Sequence, residues 1–163
     1  MGFLTGKTAI ITGGGRAVLS NGECGSIGYG IATAYAKEGA NLVLTGRNVQ
    51  KLTDAKEELE KKYGIKVLPV QADVSAGSDN EAIVQNVVKQ AIDTFGRIDV
   101  LINNAQASAS GVTIADHTTE QFDLAVYSGL YAAFYYMKAC YPYLKETKGS
   151  AVSYTHLTLP TNS

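Results

Sequence analysis

Short apolar runs alternate with amphipathic stretches along most of the chain. Thr8-Ala9-Ile10-Ile11-Thr12 is an apolar run that stops at three glycines, the pattern of a strand buried on both faces. Ile27 to Lys37 predicts a helix, with Gly39 as its stop. Asn41-Leu42-Val43-Leu44-Thr45 predicts a second buried strand. Asn48 can cap the next helix, whose apolar face is Leu52, Ala55, Leu59 and Tyr63. Glu57–Lys61 and Glu58–Lys62 are i,i+4 pairs expected on its wet side, Gly64 closes it, and Val67 to Gln71 predicts a third strand.

The same alternation continues. Ser78-Asp79-Asn80-Glu81 predicts a capping box. Behind it Ile83, Val84, Val87, Val88, Ala91, Ile92 and Phe95 recur at helical spacing up to Gly96. Asp99-Val100-Leu101-Ile102 predicts a fourth strand. Thr118 and Gln121 form a second capping box, opening a long helix to about Leu144, and Gly149-Ser150-Ala151-Val152 predicts the start of a fifth strand. Strands alternating with helices imply an α/β fold, a doubly wound parallel sheet with helices on both faces.

Composition narrows the function. The chain has 163 residues, 45% hydrophobic and 18% charged, as in an ordinary globular domain. A net charge of −1 without a basic cluster gives no surface for nucleic acid. No apolar run is long enough to span a membrane, and the N-terminus lacks the pattern of a signal segment. Cys24 and Cys140 lie far apart, which predicts free thiols and a cytoplasmic setting. His117 and His156 have no partners at ligand spacing, so no metal site is expected.

The candidate chemistry lies between the first strand and the first helix. Gly13, Gly14 and Gly15 follow the strand, and Gly22, Gly25, Gly28 and Gly30 lead into the helix. Such a turn lets backbone approach a pyrophosphate at a helix N-terminus, although glycines also serve plain tight turns. Thr12-Gly13, Ser26-Ile27-Gly28, Asp73-Val74 and Asn103-Asn104-Ala105 occur in order, each at an element end. This combination resembles the short-chain dehydrogenase/reductase family over about residues 5–151. The resemblance implies a Rossmann-like sheet and an NAD(P)-dependent oxidoreductase. It implies cofactor binding by Gly13, Gly14, Ser26, Ile27, Asp73, Val74, Asn103 and Ala105. In the family the residue matching Asp73 bonds the adenine, and the segment matching Asn103-Asn104-Ala105 lies along the cofactor.

Cofactor choice has a physical basis. A carboxylate at the end of the second strand would bond a ribose 2′-hydroxyl and repel a 2′-phosphate. This chain has Thr45-Gly46-Arg47 there. Arg47 can clamp a phosphate through two N–H groups, with Arg16 assisting from the glycine loop, so NADP(H) is favoured over NAD(H). The plain alternative is that Arg47 is a surface charge at a helix start.

The chain departs from the family pattern in several places. Twelve residues separate Gly13 from Ser26, and Ser26 stands where the family has glycine. The stretch from Ser26 to Ala32 resembles the enoyl-reductase branch, which accepts an enlarged loop; an insertion that bulges into solvent is the other reading. Gln106 replaces a favoured glycine, and Gly129 replaces a helix asparagine that assists a proton relay in many members. Tyr127, Tyr131 and Tyr135 recur every four residues, which predicts core packing first and a homo-oligomer contact second. Ser108, Ser110 and Thr113 are either pocket lining or solvent contacts.

The far end reads differently. Family members carry a serine on the fifth strand and then a Tyr-x-x-x-Lys pair that handles the proton. The one match here, Tyr141 to Lys145, precedes that strand, and Pro142 is expected to disrupt a helix there. Residues 152–163 resemble the translation of a sequencing-library adapter. Residues 1–151 are therefore expected to be the N-terminal, nucleotide-binding part of a single-domain enzyme, truncated at the start of the fifth strand, with a non-native tail. The full-length parent would act on a small-molecule carbonyl, alcohol or enoyl substrate. This copy would lack the catalytic groups and be poorly soluble or inactive. A non-catalytic dinucleotide-binding sensor or scaffold is the competing function.

Overall fold

The computed structural model describes residues 2–154. Five strands form one parallel sheet: β1 (Thr8–Thr12), β2 (Asn41–Gly46), β3 (Val67–Gln71), β4 (Val100–Asn103) and β5 (Ser150–Ser153). Their order is β3-β2-β1-β4-β5. The chain winds outward from β1 in one direction, then returns to β4 on the other side of β1. That reversal makes a crevice at the carboxyl ends of β1 and β4, where open α/β sheets bind ligands.

Alternation along β1 divides the core in two. Ala9 and Ile11 pack with Tyr29, Ala32 and Ala36 of α1 (Ile27–Lys37) and with Leu52, Ala55 and Leu59 of α2 (Val49–Tyr63). Ile10 faces the other way, with Val43 and Leu101, against Val84, Val87 and Ala91 of α3 (Asn80–Phe95). Tyr136 and Cys140 complete that second layer. They lie on α5 (Ala132–Thr147), which follows α4 (Thr119–Val126) through a π-turn at Tyr127–Tyr131.

Local chemistry explains the element ends. Gly64 and Gly96 close α2 and α3 with φ of 68° and 71°, a region that side chains enter at a cost. Asn48 Oδ1 accepts from Lys51 N–H at 3.0 Å, and the Thr118–Gln121 capping box is closed in both directions. Asp99 pins the starts of β1 and β4. Its buried carboxylate accepts from Thr8 N–H at 2.9 Å and from Arg97 at 2.8 and 2.6 Å, with Lys7 at 3.4 Å. Burial alone would raise its pKa, but these donors outweigh burial and hold it below the usual carboxylate range.

Four expectations are corrected. A 3₁₀ turn at Gly77–Asp79 precedes α3, whose cap is Asp79 and carries no side-chain hydrogen bond. The side chain of Ser78, on which the first capping box rested, lies outside the described residues. Glu58 takes a tertiary partner, Arg16 at 2.5 Å, in place of the expected Lys62, while the neighbouring Glu60 accepts from Lys56 within the helix and from Val67 N–H. Glu57 and Lys61 form no ion pair among the described residues. The helix α5 runs unbroken through Pro142. The lost N–H costs one hydrogen bond, while Tyr136, Cys140, Tyr143 and Leu144 keep both sides of it packed on the core. Tyr127 and Tyr131 are exposed and stack on each other at 5.3 Å; of the predicted stripe only Tyr135 packs on the core, beside the fully buried Tyr136.

Among the described residues β5 is an edge strand, its four residues all exposed. It pairs with β4 through Ser153. Residues 155–163 of the expected tail lie outside the described residues.

Candidate cofactor-binding site

One cleft of about 260 Å³ opens over the carboxyl ends of the strands. Its lining joins Gly13 after β1, Thr45 to Arg47 at the end of β2, Ala72 to Val74 after β3, and Asn104 to Ala107 after β4. The structure thus brings together Gly13, Arg47, Asp73, Val74 and Ala105. Gly14, Ser26, Ile27 and Asn103 do not line it. A Cβ on Gly14 would meet Leu44 Cδ2 at 2.8 Å. Ser26 caps α1 by accepting from Tyr29 N–H at 3.4 Å, and Ile27 projects outward at 54% exposure. Asn103 is buried, with its Nδ2 unpaired.

Thr12 fixes the floor. Its Oγ1 accepts from Asn104 N–H and Ala105 N–H, each at 2.9 Å, so the last residue of β1 holds the loop after β4. Asn104 Nδ2 returns a bond to Thr12 O at 2.8 Å. The sequence motif Thr12-Gly13 contains this threonine, but the sequence reading marks only its glycine as a site residue.

Close packing then shapes a cradle. Gly13 has φ of 72°, and a Cβ there would lie 2.9 Å from Asn104 Nδ2. A Cβ on Gly28 would lie 2.2 Å from Gly13 O. Only glycine at both places lets the N-terminus of α1 reach the turn, where its N–H groups and partial positive charge favour an anion. The donor set around this cradle fits a dinucleotide phosphate.

The polar side chains divide by element. Arg47 is exposed and forms no ion pair among the described residues. Arg16 does not join it: its guanidinium is engaged by Glu58, which holds that carboxyl below its ordinary pKa. Asp73 Oδ1 accepts from Ser75 N–H at 2.9 Å and from Ser75 Oγ at 2.6 Å, which orients the carboxylate. Behind the cleft Tyr136 is pushed up to about 12 by burial, tempered by the facing Thr45 hydroxyl; neither closes a hydrogen bond of normal geometry. Ser108, Ser110 and Thr113 do not line the cleft.

A family model described as enoyl-(acyl carrier protein) reductase matches residues 22–159. The chain belongs to the short-chain dehydrogenase/reductase family. It is 64% identical to a 12α-hydroxysteroid dehydrogenase from a Clostridium species over 154 residues, which is 94% of this chain and 57% of that protein. Among solved structures it resembles the L-sorbose reductase of Gluconobacter frateurii complexed with NADPH and L-sorbose. That match has a TM-score of 0.77 at 31% identity and covers 93% of this chain and 52% of the reductase. An alcohol dehydrogenase from Thermococcus sibiricus complexed with 5-hydroxy-NADP matches with a TM-score of 0.77 at 30% identity, covering 89% of this chain and 56% of that one. The chain spans little more than half the length of these relatives. No helix among the described residues is long and apolar enough to cross a membrane.

Proposed function

We propose that this chain is the NADP(H)-binding part of a short-chain oxidoreductase acting on a hydroxysteroid. The observation that carries the cofactor reading is the unpaired Arg47 at the end of β2, in a cleft that lacks a carboxylate at that position. Arg47 would take the 2′-phosphate, Asp73 Oδ2 and Val74 would face the adenine, and the Gly13 turn would admit the pyrophosphate. When bound, the nicotinamide exchanges a hydride with the substrate carbon; the protein holds and orients it. The steroid assignment rests on the 64% identity to a 12α-hydroxysteroid dehydrogenase.

Binding and turnover separate in this chain. Tyr141 and Lys145 precede β5 in α5, with Tyr141 exposed and outside the cleft. No other Tyr-x-x-x-Lys spacing occurs. A positioned proton donor contributes about 10²–10⁴-fold in rate, so the chain is expected to bind cofactor without turning substrate over. Its two free thiols suit the cytoplasm. Tyr127, Leu130, Phe134, Met137 and Tyr141, all exposed, repeat at spacings of three and four and suit a homo-oligomer contact. Sedimentation equilibrium should show self-association that Leu130→Lys weakens.

A fluorescence titration tests the central step. NADPH emission should change saturably on adding the purified chain, while NADP⁺ and a 12α-hydroxysteroid together should give no reduced cofactor. No saturable binding would refute the first claim; steady reduction would refute the second.

A further inference from the structure

Gln106 is laid across the one glycine of the π-turn. A Cβ placed on Gly129 would lie 3.7 Å from Gln106 Nε2 and 3.8 Å from both its Cδ and Cγ, so the side chain rests flat on the glycine surface. The neighbouring residue of the turn holds the neighbouring residue of the loop. Ser128 Oγ accepts from Ala107 N–H at 2.9 Å and lies 2.7 Å from Leu124 O. A π-turn widens a helix locally and is frequent at functional sites. Here it delivers Ser128 and Gly129 together to the segment that leaves β4. Gln106 also lines the cleft, and its carboxamide has no hydrogen-bond partner among the described residues.

The position along the cleft indicates what this amide meets. Arg47 and Asp73, after β2 and β3, occupy one side of the Gly13 turn. With an adenosine there and phosphates at the turn, the rest of a dinucleotide must extend over β4, across the reversal point of the sheet. Asn104 to Ala107 form that side of the lining. We infer that Gln106, seated on Gly129, binds the nicotinamide riboside half of the cofactor through its side-chain amide. This rests on the NADP(H) reading. An amide offers one acceptor and two donors, which matches the mixed donors and acceptors of a ribose diol or a carboxamide. Seating it on a glycine restricts its rotamers before binding, which lowers the entropy lost on complex formation.

Calorimetric titration with two probes tests this: NADPH, and 2′-phospho-ADP, which has the same adenosine, 2′-phosphate and pyrophosphate but lacks the whole nicotinamide riboside. Gln106→Ala should weaken NADPH about fivefold to tenfold, the worth of one hydrogen bond, and leave 2′-phospho-ADP unchanged. Gly129→Asn fills the seat and should weaken NADPH alike. The double variant should be no weaker than either single, since both remove one interaction. Gly129→Ala, whose Cβ makes only ordinary contact, should bind within about twofold of the unchanged protein. Equal weakening of both probes by Gln106→Ala, or of neither, would overturn the assignment while leaving the NADP(H) reading intact. Binding of neither probe by the unchanged protein would overturn both.

Discussion

Replacing Thr12 by valine removes one oxygen and keeps the shape. In the structure that oxygen accepts from Asn104 N–H and Ala105 N–H, both at 2.9 Å, and Thr12 itself is only 1% exposed. A buried N–H left without an acceptor costs about 1–3 kcal/mol. Asn104 and Ala105 are half-buried, so water can reach part of the loss, and the pair together should cost about 2–4 kcal/mol. That is a large share of the roughly 5–15 kcal/mol that stabilises a domain. Urea unfolding followed by circular dichroism would read it as a lower midpoint at unchanged slope. Thr12→Ser keeps the acceptor and loses one methyl, which should cost only about 1 kcal/mol. NADPH affinity should also fall in the valine variant, because the loop after β4 loses its tether. A valine variant within about 0.5 kcal/mol of the parent, or a serine variant as damaged as the valine one, would refute the claim that this hydroxyl organises the cleft floor.

Two further outcomes follow from buried polar groups. Asp99 is held below its unfolded value of 3.8, so its contribution is complete above that value and is lost as pH falls through the lower folded one. Urea titrations should show stability dropping below about pH 4, and Asp99→Asn should flatten that part of the profile; an unchanged acid limb would contradict the assignment. The Tyr136 hydroxyl is buried without a hydrogen bond of normal geometry, so Tyr136→Phe should be neutral or stabilising by up to about 1 kcal/mol. A loss above about 1 kcal/mol would show that the hydroxyl is paired in solution.

Much of the fold was legible because backbone chemistry at the element ends is local. Gly64 and Gly96 stop their helices in the left-handed region, and Asn48 and Thr118 cap as their spacing predicts. The alternation of apolar runs likewise foretold the order of strands and helices. What depended on distant partners was not legible. Glu58 turned to Arg16 because the glycine loop folds against α2, a contact no helical spacing encodes. The tyrosine repeat at four residues reads as a buried stripe only on a regular helix, and a π-turn from Tyr127 to Tyr131 resets which face is inward. In the cleft, the motif residues Thr12, Gly13, Asp73 and Ala105 were visible, whereas the hydrogen bonds that Thr12 and Ser128 make to loops were not. Gln106 and Gly129 stood out as separate departures from the family pattern; their contact is a property of the folded chain.

The most direct test of the account is a paired calorimetric titration of NADPH and NADH against the unchanged chain and Arg47→Ala. Two charge-assisted bonds to the 2′-phosphate should make NADPH bind about tenfold or more tightly than NADH. Removing the guanidinium should erase that preference by weakening NADPH alone. Equal affinity for the two cofactors in the unchanged chain, or a preference that survives without Arg47, would contradict it.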